Sequence, residues 1–276
     1  MSPDTTAGPL ASPDTAPAAP SRGLLARLGE PKALSWIAVA VVILAWELAV
    51  IVLQLNPIYL PRPSRIVVAL FEMFRSGGLA TDLIATLIRI FGGFFIALAF
   101  GVALGVWMAV SVRVRAIADN FIAALYPLPK VTLIPLLIIW LGTGGPFMLT
   151  ISMLGAFFPV VINTVLGISQ CDQGLVLAAR DLGASRRQII RMVLLPSAIP
   201  SIFAGIRLGL GVSIILVVAA EMVVGKLGLG ARLYLAGQVL ETEQVFAVLI
   251  VLATLGIVVT KVQDAIDVRL GHWRVN

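Results

Sequence analysis

The sequence is poor in the residues that build reactive centres. Its 276 residues include one cysteine, Cys171, and one histidine, His272, so no intramolecular disulfide, cysteine-based zinc cluster or thiol redox pair can form. A metalloenzyme or thiol enzyme needs several convergent ligands or a nucleophile with its base, and neither is at hand. No stretch reads G-x-x-x-x-G-K-[ST], the loop that cradles nucleotide phosphates. Charge is scarce too: charged residues make up 12% of the chain against 59% hydrophobic ones, and mean hydropathy is +1.04. That leaves too little polar surface to cover a soluble globule of this size and points to an all-α, polytopic membrane protein. A formal charge of +6 could suggest nucleic acid, but the basic residues are dispersed between apolar runs without interleaved aromatics, which excludes it as a partner.

Residues 1–33 are expected to form a disordered cytoplasmic tail. Met1 to Pro20 are mostly Ser, Pro, Asp, Thr and Ala, which bury too little surface to offset their ordering entropy. The tail also lacks the pattern of a secretory signal. Residues 34–276 read as one transmembrane domain. About 20 apolar residues cross a bilayer as a helix, and that ruler yields six spans: Trp36–Leu55, Leu83–Val110, Phe121–Leu141, Phe147–Ile168, Ile202–Val224 and Val245–Val262. With the N-terminus inside, Arg22, Arg27, Lys32, Arg113, Arg115, Arg180, Arg186, Arg187, Arg191, Lys261, Arg269 and Arg274 fall in the cytoplasm. Only Arg62, Arg65, Arg75, Lys226 and Arg232 fall outside, so the excess of inner positive charge favours both termini inside a cytoplasmic membrane. Two outer amphipathic segments, Pro63–Arg75 and Gly228–Gln244, either lie along the membrane surface or pack on the bundle.

Between the fourth and fifth spans the segment 172–196 is too long for a tight connection and too patterned for disorder. Asp172 is an N-cap candidate, Gly183 a C-cap, Ser185 with Gln188 a capping box, and Pro196 a terminator. The expected product is a bent helix pair that offers Arg180, Arg186, Arg187 and Arg191 to a partner.

These residues resemble a known signature. Leu177-Ala178-Ala179, Gly183 six positions after Leu177, Val193 and Leu195-Pro196 are similar to the EAA loop of bacterial ABC importer permeases, with Leu177 where that family usually has glutamate. From about Leu60 to Trp273 the chain looks most like the nitrate, taurine and aliphatic sulfonate permeases. Supporting stretches are Leu60-Pro61-Arg62-Pro63-Ser64, Tyr126-Pro127-Leu128-Pro129-Lys130, Gly155-Ala156-Phe157-Phe158-Pro159, Gly205-Ile206-Arg207 and Ala220-Glu221-Met222. The resemblance implies the six-helix type I permease fold and a homodimer that binds a cytoplasmic ABC ATPase dimer and an extracytoplasmic substrate-binding protein. It implies no cofactor in this chain and no catalytic residue, ATP and Mg being bound by the ATPase. Coupling residues carried over are Ala178, Ala179, Arg180, Asp181, Gly183, Ala184, Ser185, Arg186, Arg187, Gln188 and Pro196.

Four polar residues at membrane depth are candidates for the substrate pathway. Lys130, just after Pro127 and Pro129, is either an anion-attracting gate or a lysine paired with a carbonyl at a kink. Arg207 either attracts an anion or pairs with an acid such as Asp181. Asn163, with Thr164, offers hydrogen bonds to substrate or, more commonly, between helices. Glu221 reads as a packing or outer-gate residue, Glu47 as structural, and Arg89 as snorkelling to the outer face. The spacings Gly101/Gly105 and Gly205/Gly209 suggest tight packing within the chain. The alternative function is an ion-coupled carrier or channel working without an ATPase.

Overall fold

The computed structural model describes residues 31–270. These form α1 (Pro31–Val52), α2 (Pro63–Arg75), α3 (Gly78–Val110), α4 (Val112–Leu125), a 3-10 turn (Lys130–Leu133), α5 (Ile134–Leu141) and α6 (Gly145–Ser169). There follow α7 (Gln173–Asp181), α8 (Arg186–Ile189), a wide π turn (Ile190–Leu194), α9 (Leu195–Val224), α10 (Leu229–Gln238) and α11 (Thr242–Leu270). No strand occurs among the described residues. Of the expected tail, residues 1–30 lie outside the described residues, while Pro31, Lys32 and Ala33 belong to α1.

Among the described residues, five helices are long and apolar enough to cross a membrane: α1, α3, α6, the run Arg186–Val224, and α11. The expected third span, Phe121–Leu141, is not one helix. Its apolar residues are split between α4 and the Lys130–Leu141 segment, which meet at 89°. Pro127 and Pro129 cause the break, since each lacks an N–H and biases the residue before it away from helix. A sixth crossing exists only if this bent pair counts as one.

The bundle is built around α6, sandwiched between α3 and α9. Apolar tails give no hydrophobic drive between helices inside a bilayer, so close approach through small residues must hold them. On α3 the buried positions Ile90, Gly93, Phe94, Ala97, Gly101, Gly105 and Met108 recur at helical spacing on the side toward α6, while Ile88, Phe95, Phe100 and Trp107 stay exposed on the other side. A Cβ on Gly101 would meet Val160 at 2.9 Å, and one on Gly105 would meet Thr164 at 2.6 Å. Gly205 faces the Pro159 carbonyl and Gly209 faces Ala156. Both glycine pairs therefore seat helices within the chain.

The two outer segments pack on the bundle. Ile66, Ala69 and Met73 of α2 are buried, as are Leu229, Gly230, Ala231 and Ala236 of α10. The second is shorter than expected, because Leu240 at φ 60° turns the chain into α11. Glu47 on α1 accepts from the Ser64 amide at 3.0 Å and hydroxyl at 2.8 Å, placing a carboxylate on the unsatisfied amides at the start of α2.

Candidate functional site

The segment after α6 forms an elbow whose geometry is fixed by local hydrogen bonds. Asp172 Oδ1 accepts from the Gly174 amide at 2.8 Å and starts α7. At the other end Gly183 adopts φ +79°, its amide donates to the Arg180 carbonyl at 2.8 Å, and the Ala184 amide donates to the Ala179 carbonyl at 2.9 Å. This pair of bonds is a Schellman motif, and only a left-handed residue at its turn closes it. The Gln188 side-chain oxygen accepts from the Ser185 amide at 2.8 Å while the Ser185 hydroxyl accepts from the Gln188 amide, a complete capping box that starts α8. Cys171, Val176 and Ile189 are buried inside the elbow with Ala179, Ala184, Val193 and Leu194 against them.

Pro196 does not end this unit, contrary to expectation. The helix runs without interruption from Arg186 to Val224. In the π turn the Leu195 amide reaches back to the Ile190 carbonyl, a wider bond than the α-helical one, and Pro196 then sits in the first turn of α9, where its missing N–H is tolerated. The elbow is thus continuous with a long apolar helix.

The four arginines of the elbow do not share one direction. Arg186 Nη2 turns back to the carbonyl of Val110 at 2.6 Å, tying the elbow to the last residue of α3. Arg180 and Arg186 line a recess beneath the elbow, whereas Arg187 and Arg191 are exposed and do not line it. The elbow also exposes large apolar side chains: Leu175, Leu177, Leu182 and Met192, with Leu182 88% accessible. Ala178 and Asp181 are exposed beside them.

The candidate pathway residues are dispersed. Lys130 Nζ donates to the Tyr126 carbonyl at 2.9 Å and lies 5.1 and 5.4 Å from the ring centroids of Tyr126 and Phe158. It therefore covers a free carbonyl at the C-terminus of α4 and gains from two aromatic faces. Arg207 Nη2 lies 2.5 Å from Asp264 Oδ1 on α11, so the acid it pairs with is Asp264 and not Asp181. Asn163 Nδ2 donates to the Pro159 carbonyl and Thr164 Oγ1 to the Val160 carbonyl, each four residues back in α6, so neither bond joins two helices.

Glu221 is fully buried and sits in a polar cluster for which individual residue types gave no signal. Its carboxylate accepts from Thr86 Oγ1 at 2.9 Å, from Arg89 Nη1 at 2.6 Å and from the Gly230 amide at 3.0 Å. Arg89 also donates to the Leu227 carbonyl at 2.7 Å, so it points inward and does not snorkel. Asp82, also buried, accepts from the Gly228 amide at 2.9 Å and pairs with Arg232. The Leu229 amide completes the set by donating to Thr86 Oγ1 at 2.9 Å. Three successive amides at the start of α10 are thus met by side chains of α3 and α9, which is how a buried helix end and buried carboxylates become tolerable.

The comparisons with known proteins agree with this architecture. A family profile described as the binding-protein-dependent transport system inner membrane component matches residues 101–272. The taurine transport system permease protein TauC of Escherichia coli strain K12 is 34% identical over 239 residues, covering 85% of this chain and 87% of that protein. The putative aliphatic sulfonates transport permease protein SsuC of Bacillus subtilis strain 168 is 33% identical over 235 residues, 85% of each. Among solved structures, a chain of the MetNI methionine ABC transporter in an inward-facing conformation matches with a TM-score of 0.59 at 23% identity, over 67% of this chain and 92% of that one, so the two share a fold. From its helix order, its sandwiched α6 and its profile match over most of its length, the chain belongs to the family of inner membrane components of binding-protein-dependent transport systems.

Proposed function

We propose that this chain is the permease subunit of an ATP-driven importer in the bacterial inner membrane, with both termini cytoplasmic. It works as a homodimer, receives a small anion from an external binding protein, and moves it inward by alternating access. ATP and Mg are held by a separate cytoplasmic ATPase dimer, and this chain contributes no catalytic group. The observation that carries this reading is the elbow: a rigidly capped helix pair exposing Leu175, Leu177, Leu182 and Met192 beside Arg187 and Arg191, joined without a break to a membrane-length helix. Exposed apolar side chains interspersed with basic ones on a capped helix pair suit a partner surface, and Leu177 supplies apolar area where a carboxylate would supply charge.

The substrate class we propose is a small sulfonate or similar oxyanion such as taurine or nitrate. Support comes from the named relatives and from Lys130, the cation nearest the break between α4 and α5. Arg207 and Glu221 each have a charge partner and Asn163 a backbone partner, so in this reading they shape the pathway more than they touch the anion. Capture of the tagged chain from native membranes tests the proposal. An ATPase subunit should co-purify, Leu182→Glu with Met192→Glu should abolish that, and vesicles should need ATP for uptake. A chain that purifies alone and transports under an ion gradient without ATP would show an ion-coupled carrier instead.

A further inference from the structure

Beneath the elbow is a recess of about 650 Å³ whose lining includes none of the exposed apolar side chains Leu175, Leu177, Leu182 and Met192. Its polar lining is one-signed: Arg115 from the first turn of α4, Arg180 from α7, Arg186 from α8, with Gln173 and Ser169 beside them and no acidic side chain. Arg180 has no salt bridge among the described residues, and Arg115 has only a loose 3.6 Å contact with exposed Asp119. Arg186 spends one N–H on Val110 and keeps others for a ligand. The recess also sits at a definite depth. Val110 and Ser169, the last residues of α3 and α6, are in its wall, which sets it where spans leave the bilayer.

A second cavity starts from the same helix. Val114, next in the chain to Arg115, lines a wholly apolar groove of about 410 Å³ between α3, α4 and α6. Leu104, Trp107, Ile117 and Phe121 form its walls, and the last three are more than 60% accessible. Three guanidinium groups at headgroup level beside an acyl-sized groove complement one kind of molecule.

We infer that an anionic phospholipid of the cytoplasmic leaflet occupies this place, its phosphate among Arg115, Arg180 and Arg186 and an acyl chain along Trp107, Ile117 and Phe121. Basic recesses between spans on the cytoplasmic side suit anionic headgroups, and a planar guanidinium suits phosphate. The lipid bridges α4 to α7 and α8, so it steadies the elbow from the membrane side. Only the choice of leaflet rests on the proposed orientation.

Native mass spectrometry of the purified chain with phosphatidylglycerol or phosphatidylcholine of equal chain length tests this. Phosphatidylglycerol should bind on the order of a hundred-fold more tightly, at about five-fold for each of three basic side chains at a headgroup. Arg115→Gln with Arg180→Gln, which leaves the Arg186 tie intact, should erase that preference, and Trp107→Asn with Phe121→Asn should weaken both lipids. Free glycerol phosphate at the same concentration should not compete. Equal binding of the two lipids, a preference that survives the arginine double variant, or displacement by glycerol phosphate would each overturn the inference, the last by showing a soluble-anion site. None of these readouts depends on transport, so a failed lipid site and a failed importer assignment are distinguishable.

Discussion

Arg89 on α3 and Glu221 on α9 form an ion pair with Nη1 and Oε1 2.6 Å apart, the carboxylate fully enclosed and the guanidinium mostly so. Removing one member strands the other charge, which typically costs several kcal/mol, whereas removing both costs far less. We predict that Glu221→Ala destabilises the folded chain by on the order of 3 kcal/mol, and that Glu221→Gln with Arg89→Gln recovers at least half of that loss. Thermal unfolding in detergent measures both; equal losses for the single and double variants would refute the pairing.

Gly183 has open space around its Cα but a left-handed backbone at φ +79°, so substitution there is limited by conformation and not by collision. A β-branched residue at such a position costs about 1–2 kcal/mol, while asparagine is tolerated better. Gly183→Val should therefore uncouple ATP hydrolysis from uptake in reconstituted vesicles and Gly183→Asn should retain most coupling. Undiminished uptake by the valine variant at normal membrane levels would sink this.

Gly230 is limited by collision. A Cβ there would run into the Val218 carbonyl and lie 2.9 Å from the Glu221 Cβ, while its amide serves the Glu221 carboxylate. Gly230→Ala should lift α10 from α9 and cost about 1–3 kcal/mol by overpacking, readable as faster hydrogen exchange at the Leu229 and Gly230 amides. Gly237, where an added Cβ would meet nothing within 4 Å, is the control and should accept alanine without loss.

Arg207 and Asp264 pair at 2.5 Å, but both side chains are about half exposed, and exposed pairs contribute only about 0–1 kcal/mol. Arg207→Asp alone should leave the melting temperature within a few degrees of the parent while lowering uptake, because two carboxylates would then face each other. Exchanging the pair, Arg207→Asp with Asp264→Arg, should restore uptake; if the exchange stays as impaired as the single change, Arg207 acts on the substrate directly.

The elbow was legible in the sequence because its determinants are local. Asp172 with Gly174, Gly183 with Arg180, and Ser185 with Gln188 are bonds across two or three residues, and each residue type has one common use at such a place. Partners across the bundle were not, since hydropathy locates a span but not its rotation. Arg89 and Glu221 are 132 positions apart, Arg207 and Asp264 57, and which faces meet depends on all helices packing together. The prolines divided: Pro127 and Pro129 broke the third span as their missing donors implied, whereas Pro196 sat in a helix that its presence was expected to end, because the wider turn before it relieved the lost bond.

The uninterrupted run from Arg186 to Val224 gives the molecule a lever. At about 1.5 Å per residue, the roughly 35 steps from the capping box to Glu221 place the two ends roughly 50 Å apart. A tilt of only a few degrees imposed at the elbow would sweep the far end by several ångströms. Since the far end is knotted to α3 and α10 through Glu221, Arg89 and Thr86, that sweep would carry the outer polar cluster as one piece. In the proposed orientation, a push on the elbow from a partner would then arrive at the other end of the helix as displacement of a rigid block.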